Sequence, residues 1–488
     1  MFSCFCSRQL GFKAIYMLKH SLNYHHDSAQ LFERIAHMPW AMLLDSGQSI
    51  NSSTGKAGSQ YGRYDIIVAE PFITLVTRGE ITNITQNAQV ETSTEDPFYL
   101  LKNILKKYAM PETDLGENLP FTGGALGYFA YDLGRRVEKL PSIASNDTQV
   151  PEMMIGIYDW AIVVDHREKK TVLVSHTLHA QTQANWSRLQ ALFNKPASLT
   201  NNAFEITSDI VYNLPQPQYK QAFAKIKAYI SAGDCYQVNL AQRFSVKVKG
   251  DAWQMYKKLR EISPAPFMAF MQLPLSENEH FQVLSNSPER FLQVNGVHVE
   301  TRPIKGTRPR FKDAVQDLNS ANELLTSAKD KAENVMIVDL LRNDLSKSCE
   351  IGSVKVNKLF QLQSFANVHH MVSIVIGKLK INKTALDILR DCFPGGSITG
   401  APKLRAMQII EELEPDRRGL YCGAIGYVSF DGNMDTNIAI RTAVIVKNDL
   451  SFYAGGGIVA DSSESKEYAE TLDKASSFIT IIKLFTRL

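Results

Sequence analysis

A chain of 488 residues, 44% hydrophobic and 21% charged, can bury one large core or two interlocked ones, and its composition excludes disordered, collagenous and coiled-coil classes. Lys and Arg total 53 against 50 Asp and Glu, so a net charge of +3 leaves no polycationic face and argues against a nucleic-acid partner. Six scattered cysteines (Cys4, Cys6, Cys235, Cys349, Cys392, Cys422) form neither a disulfide framework nor a paired zinc spacing, and no run of 18 apolar residues exists; the expectation is a cytoplasmic chain with free thiols and no membrane span.

Residues 1–16 have no basic n-region and no small-residue cleavage site, so they read as a loose N-terminal extension, with Met17 as an alternative start. Residues 17–200 form a first segment, in which the β-rich runs 153–164 and 171–176, separated by five polar residues, predict an antiparallel hairpin. The composition then turns to Asn, Ser, Thr and Pro, closing on Pro215 and Pro217, which places a linker at 201–217. In the second segment, 218–488, Phe223, Ile226 and Ile230 recur at helical spacing. Residues 291–294 and 297–301 flank Asn295-Gly296, a two-residue hairpin signal. Leu325, Ala328, Ala332 and the run 335–341 repeat at helical spacing, as do residues 404–413 and, near the end, Leu472, Ala475, Ile479 and Ile482. Between the last two helices, 421–430, 436–447 and 450–453 predict a meander turning at Asp431-Gly432 and Asn448-Asp449. Long antiparallel strands with clustered helices predict an α+β fold.

Several motifs could carry chemistry. Asp330-x-x-Glu333 and Glu467-x-x-Glu470 each place two acids on one helix face, and Lys474 continues the second face. Alone, either pair reads as solvated surface; converging, four carboxyls without His or Cys would suit a hard cation such as Mg²⁺. Gly395-Gly396-Ser397-Ile398-Thr399-Gly400-Ala401-Pro402-Lys403 precedes the 404–413 helix, with Pro402 at a first-turn position, and combines close backbone approach with a helix N-terminus, the makings of an anion site. Ala401-Pro402 stands where a P-loop needs Lys-Ser/Thr, which favours a carboxylate over a phosphate and leaves an NTP-binding enzyme as the rival reading. Gly455-Gly456-Gly457 offers a second backbone-lined pocket. Lys305 is pinned between Pro303 and Gly306 beside Arg302 and Arg308; like charge and burial would lower its pKa toward that of a nucleophile or base, and a solvated lysine is the plainer alternative. His369-His370 and Ser287-Pro288-Glu289-Arg290 complete the set.

In this order, and together with Tyr236-Gln237-Val238-Asn239-Leu240, Asp339-Leu340-Leu341-Arg342-Asn343-Asp344 and Ile440-Arg441-Thr442, these segments resemble the chorismate-utilising enzymes from about residue 218 onward. Leu43-Leu44-Asp45-Ser46 and Arg63-Tyr64-Asp65 extend the likeness faintly into the first segment. The resemblance implies large antiparallel sheets packed as a sandwich with helices outside, an N-terminal domain over 17–200 like that of anthranilate synthases, and a chorismate-binding domain over 218–488. Isochorismate- and salicylate-forming members carry a water-activating lysine where Gln237 stands, and anthranilate-forming members an alanine in the 303–307 segment. Lys305 therefore implies amination of chorismate at C4, on the way to p-aminobenzoate and folate, with the anthranilate-forming branch as the near alternative.

By the same likeness Lys305 adds at C2, Glu289 is the general acid for the C4 hydroxyl, and ammonia then attacks C4 and expels the lysine from C2. Glu333 and Glu470 hold Mg²⁺, with Asp330 and Glu467 acting through waters, although most relatives carry Glu at position 330. Gln237, Thr399 and His370 line the ring, His370 near the departing hydroxyl. Lys474 with the Gly456 and Gly457 backbone takes the ring carboxylate, and Arg441 with Tyr421 the enolpyruvyl one. No Gly-x-Cys-x-Gly glutaminase elbow occurs, so a separate glutamine amidotransferase subunit is the implied ammonia source. A tryptophan pocket is expected at Leu44 and Ser46, with Pro266, Phe267 and Met268 as its second wall.

Overall fold

The computed structural model describes residues 17–48, 62–110, 119–195, 203–276, 279–365 and 368–486. The extension expected at 1–16 and the first two residues of the 201–217 linker lie outside them.

Side-chain alternation decides the architecture. Along Phe267–Pro274, Ala269, Met271 and Leu273 enter one buried cluster, while Met268 and Phe270 enter another on the opposite face. Ala41–Asp45 divides likewise, with Met42 on one side and Ala41 and Leu43 on the other. Strands apolar on both faces must be covered on both. On the inner side two sheets meet, since the shared cluster also takes Leu126, Tyr128, Met154 and Ile425 from the second sheet. Helices cover the outer faces: Ala252–Ile262 and Glu464–Phe485 bring Trp253, Tyr256, Phe478 and Ile481 to the first sheet. Pro97–Lys106 and Ala385–Cys392 bring Phe98, Leu101 and Leu389 to the second. The result is the expected α+β sandwich of large antiparallel sheets, with 13 and 12 strands among the described residues.

Segments on either side of residues 201–217 share both sheets. Ala41–Asp45 pairs with Phe267–Pro274 in the first, and Gly124–Phe129 with Ala424–Ser429 in the second.

The hairpin expected from 153–164 needs correction. Met153–Tyr158 lies in the second sheet beside Gly124–Phe129, and only Trp160–Asp165 pairs with Lys170–Ser175 in the first. The chain changes sheets at buried Asp159, whose carboxylate accepts from the His179 N–H at 2.9 Å and the Thr182 hydroxyl at 2.6 Å. Residues 436–447 also divide, into Met434–Ile438 in the second sheet and Thr442–Val446 in the first. The hairpin at Asn295-Gly296 is present, joining Arg290–Asn295 to His298–Thr301. Ser327 splits the helical pattern around it: its hydroxyl accepts from the Asp330 N–H at 3.2 Å, capping Ala328–Ser348 and separating it from Ala314–Thr326. Pro402 is the N-cap of Lys403–Leu413 and not its first helical residue. No helix of the described residues is long and apolar enough to cross a membrane, and Cys235, Cys349, Cys392 and Cys422 are free and buried.

Candidate active site

Two paired strands change sheets side by side, and that crossing builds the site. His280–Ser287 pairs with Thr442–Val446 in the first sheet, and Arg290–Asn295 pairs with Met434–Ile438 in the second. Where they cross, the Ile438 N–H donates to the Glu289 carbonyl at 3.0 Å and the Asn286 N–H to the Arg441 carbonyl at 2.9 Å. The Ser287 hydroxyl donates to the Ile438 carbonyl at 2.6 Å. Glu289 and Arg441 sit at this bend, Arg441 with a left-handed φ of 51° that few non-glycine residues adopt.

The Ser397 hydroxyl, from the glycine-rich loop, donates to Glu289 Oε1 at 3.0 Å. Burial pushes the Glu289 carboxyl up to about 7, against the opposing pull of Lys305 and the Ser397 bond. That range suits a general acid near neutral pH. Lys305 Nζ donates to Glu333 Oε1 at 3.0 Å, with its side chain 13% exposed. Burial alone would lower the amine's pKa, but Glu333, Glu289 and Glu470 together hold it above its ordinary value. The lowered amine expected from Arg302 and Arg308 is therefore corrected. Those guanidiniums are engaged elsewhere, Arg302 with Glu300 at 2.5 Å and Arg308 with Asp330 and Glu323 at 3.1 and 2.9 Å. Gly306, at φ 83°, lets this segment close on the acidic helix, because a Cβ there would stand 2.7 Å from Leu324 and 3.1 Å from the Asp330 carboxyl carbon.

Both acidic helices reach the same region. Glu467 Oε2 and Glu470 Oε1 each lie 3.3 Å from the point that a Cβ on Gly456 would occupy. Every one of the four carboxylates has a cationic partner: Glu333 with Lys305 at 3.0 Å, Asp330 with Arg308 at 3.1 Å, Glu470 with Lys474 at 2.6 Å and Glu467 with Lys329 at 3.8 Å. Among the described residues no three His, Cys, Asp or Glu side chains gather as a ligand set, so the four acids are ion-paired and do not form a closed cage. Their chemistry still fits a hard cation. The donors are all oxygen, and buried Glu467 is pushed up in pKa by its burial and by Glu470, a crowding that a bound cation relieves.

Around this charge cluster stand the other expected residues. Gln237 is fully buried; its amide nitrogen donates to Asn239 Oδ1 at 3.0 Å, and among the described residues its Oε1 has no hydrogen-bond partner. Gly457 lies against it, since a Cβ there would come within 2.8 Å of the Gln237 side chain. The Thr399 hydroxyl is shared between the Gly395 and Gly396 carbonyls at 3.0 and 3.3 Å. His370 Nδ1 is 2.9 Å from the Thr307 hydroxyl, and burial, Arg441 and His369 lower its pKa to about 3. It is thus a neutral hydrogen-bonding imidazole near physiological pH. Tyr421 stacks on Tyr453 at 5.2 Å between centroids. Lys474 also donates to the Gly455 carbonyl at 3.0 Å. Among the described residues Arg441 has no carboxylate partner, and desolvation lowers its pKa; a half-buried guanidinium without a counter-anion is a receiver for one. The electrostatics tie these groups into one site, because Lys305 feels Glu333, Glu289 and Glu470, Glu289 feels Lys474, and His370 feels Arg441.

Sequence reasoning gave no role to Ser397, although it stands inside a quoted motif, nor to Glu414 and Arg418 beneath the site. The signal for the latter was their i,i+4 spacing, common on helices and easily taken for surface.

Leu44, Ser46, Pro266, Phe267 and Met268 all border a separate cavity of about 890 Å³ between the sheets, with Arg290 and Asp435 also on its wall. Ser46 donates to Asp65 Oδ1 through its N–H at 2.8 Å and its hydroxyl at 2.7 Å, and the Arg290 guanidinium lies 5.1 Å from the Phe267 ring centre.

The model of the chorismate binding enzyme family matches residues 69–480, well over half of the sequence. The chain belongs to that family. Aminodeoxychorismate synthase component 1 of Escherichia coli (strain K12) is 46% identical over 460 residues, covering 94% of this chain and 97% of that protein. Anthranilate synthase component 1 of Aquifex aeolicus (strain VF5) is 35% identical over 457 residues, covering 91% of each. The crystal structure of anthranilate synthase component I from Streptococcus pneumoniae TIGR4 matches with a TM-score of 0.74 at 32% identity, covering 85% of this chain and 92% of that one. The part matched to the chorismate binding enzymes contains Lys305, Glu289 and the four helical acids Asp330, Glu333, Glu467 and Glu470, and begins after Leu44 and Ser46.

Proposed function

We propose that this chain works as component 1 of an aminodeoxychorismate synthase, replacing the C4 hydroxyl of chorismate with an amine. One observation carries the reading: Lys305, its side chain 13% exposed and 3.0 Å from Glu333, shares a site with Glu289, a buried carboxyl raised to about 7. The higher identity to the E. coli aminodeoxychorismate synthase component than to the A. aeolicus anthranilate synthase agrees with it.

Chorismate carries two carboxylates, and the site has two receivers. Arg441, lacking an anion, and Tyr421 beside it take the enolpyruvyl carboxylate, while Lys474 and the Gly456 and Gly457 backbone take the ring carboxylate. Lys305 passes a proton to the Glu289 carboxylate and becomes a free amine. The amine forms a bond to C2, the ring double bond shifts, and the C4 hydroxyl departs as water with the proton from Glu289. Ammonia then bonds to C4, the double bond returns, and the C2–N bond breaks to release Lys305 as a neutral amine; the new C4 ammonium passes one proton to that amine, which restores the starting Lys305 ammonium and leaves the 4-amino product. Gln237, Thr399 and neutral His370 line the ring and exclude water, which would otherwise compete as nucleophile. Glu333 and Glu470, backed by Asp330 and Glu467, would hold Mg²⁺, which supplies positive charge for the ring carboxylate.

The ammonia source in this reading is a glutamine amidotransferase subunit. The buried free thiols suit a reducing compartment such as the cytoplasm. The cavity behind Phe267 and Met268 is the place for a tryptophan, with an apolar wall for its ring and Ser46 at its polar end.

The test is an incubation with chorismate, Mg²⁺ and ammonium at alkaline pH, with product mass and lyase-coupled conversion to p-aminobenzoate as readouts. Amination at C4 is expected without glutamine use, and glutamine use only after an amidotransferase is added. Anthranilate as the main product would assign the chain to the other branch.

A further inference from the structure

The Gln237–Gly250 strand has one complete edge and one interrupted edge. Its complete edge pairs with Asp449–Ile458 from residue 238 to 247. The other edge pairs with Gly400–Ala401 at residues 237 and 238 and with Val211–Tyr212 at 244 and 245. Between those short partners the outward backbone groups would be buried without a ladder, a cost of the kind folded proteins avoid. Backbone closes part of this gap, the Asn239 N–H donating to the Thr399 carbonyl at 2.8 Å and the Asn213 N–H to the Arg243 carbonyl at 3.1 Å; side chains fill the rest. Glu414 Oε1 accepts from the Ala241 N–H at 2.9 Å, and Arg418 Nη2 donates to the Asn239 carbonyl at 3.1 Å. Asn213 Oδ1 accepts from the Arg243 N–H at 2.6 Å.

Glu414 and Arg418 are also bonded to each other, Nε to Oε2 at 2.9 Å and Nη2 to Oε1 at 2.6 Å, with side chains only 2% and 1% exposed. The remaining arm, Nη1, donates to the Ile398 carbonyl at 2.9 Å, next to Thr399. Asn239, whose carbonyl the guanidinium holds, accepts from the Gln237 amide at 3.0 Å and donates to the Ser397 carbonyl at 3.3 Å. The guanidinium carbon lies 4.9 Å from the Tyr131 ring centre and 5.8 Å from that of Tyr421. A buried ion pair is weak evidence for stability, because desolvation offsets much of its attraction. What distinguishes this one is where its arms end: on the backbone beside Thr399 and on the residue that holds Gln237.

We propose that the Glu414–Arg418 pair is a positioning element for the chorismate site, fixing the Ser397–Thr399 loop against Asn239 and Gln237 and the Tyr421 ring beside them. The proposal rests on the amination reading for its kinetic assay alone. Neither residue touches the reacting atoms; the planar guanidinium suits the task because it can hold a carboxylate and two carbonyls in fixed directions, which an ammonium cannot.

The test uses the full chain with Arg418→Lys and with the paired change Glu414→Gln/Arg418→Met, which removes both buried charges together. Amide hydrogen exchange is read without substrate over residues 237–241 and 395–401, alongside the thermal midpoint and the kcat and KM for chorismate at saturating ammonium. Expected are faster exchange confined to those two stretches, a thermal midpoint lowered because the Ile398 and Asn239 carbonyls lose their donor, and kcat reduced ~100-fold, as an ~1 Å misplacement of binding groups would cause. If the paired variant does not fold, Arg418→Lys decides. Wild-type exchange in both stretches, or wild-type kcat and KM, would overturn the proposal. A wild-type chain that forms no C4-aminated product would sink the amination reading but leave the exchange result to judge this one.

Discussion

At Glu289 the consequence of burial can be measured. Its carboxyl is raised from 4.5 to about 7. Below pH 4.5 folded and unfolded chains both hold the proton; between 4.5 and 7 the unfolded chain ionises first, so folding loses about 1.4 kcal/mol per pH unit, roughly 3 kcal/mol in all. Glu289→Gln removes that charge and keeps an oxygen for the Ser397 hydroxyl. The variant should melt above wild type at pH 8 and level with it at pH 4, while amination falls ~10²- to 10⁴-fold for want of the acid. A melting temperature unchanged at pH 8 would mean that the wild-type carboxylate is solvated. Lys305 calls for a pair of substitutions, because it is both ion partner and nucleophile. Lys305→Ala leaves Glu333 without its partner and should abolish the 4-amino product, each ~1.4 kcal/mol of lost barrier stabilisation costing tenfold in rate. Lys305→Arg restores a cation for Glu333 and cannot act as nucleophile, so it should recover folding without turnover. Turnover by the arginine variant would reduce Lys305 to an electrostatic role. These residues were legible in sequence because they sit in short motifs; the raised Lys305 amine was not, since Glu333 and Glu470 come from helices far apart in the chain.

The strands show the complementary limit. Alternation found the β runs but could not say which sheet each half joins, because residues 153–164 and 436–447 are flanked by apolar neighbours in either sheet. The sheet changes leave one polar residue each, Asp159 and Arg441, and a Pro288 before Glu289. Such single interruptions look like noise in a periodic pattern, yet two of the three place a residue in the site. The glycine-rich loop was read as an anion cradle for its conformational freedom; the structure adds a steric requirement. A Cβ on Gly400, at φ 149°, would stand 2.1 Å from the Gln237 carbonyl oxygen, which forbids the two-residue pairing of 400–401 with 237–238. Gly400→Ala should therefore destabilise the fold by ~2 kcal/mol or more and raise the KM for chorismate as Thr399 moves off the Asn239 N–H that its carbonyl accepts from. Wild-type melting and KM in that variant would show that the loop has room this packing does not leave.

Across the whole molecule the two segments complete each other's sheets, which bears on how the chain folds and on what its cavity can do. Cutting at 201–217 would strip Phe267–Pro274 of its Ala41–Asp45 neighbour and Ala424–Ser429 of its Gly124–Phe129 neighbour, exposing two long apolar edges at once. Exposed flat edges of this kind associate with whatever strand they meet. Residues 218–488 made alone should then aggregate or stay molten, and co-expression with residues 17–200 should restore both near-UV circular dichroism and amination. The 890 Å³ cavity lies on the same seam, with Leu44 and Ser46 from one segment facing Pro266, Phe267 and Met268 from the other. A ligand that fills it binds only the assembled state and stabilises it by RT ln(1 + [L]/Kd), about 2.7 kcal/mol at a hundredfold excess over Kd. Tryptophan should accordingly raise the melting temperature of the intact chain and shift the co-expressed halves toward the complex, and Met268→Asp, which puts a charge on the apolar wall, should erase both effects. Native-like spectra and chorismate turnover from residues 218–488 alone would contradict the shared-sheet account, whereas tryptophan stabilisation that survives Met268→Asp would place its site away from this cavity.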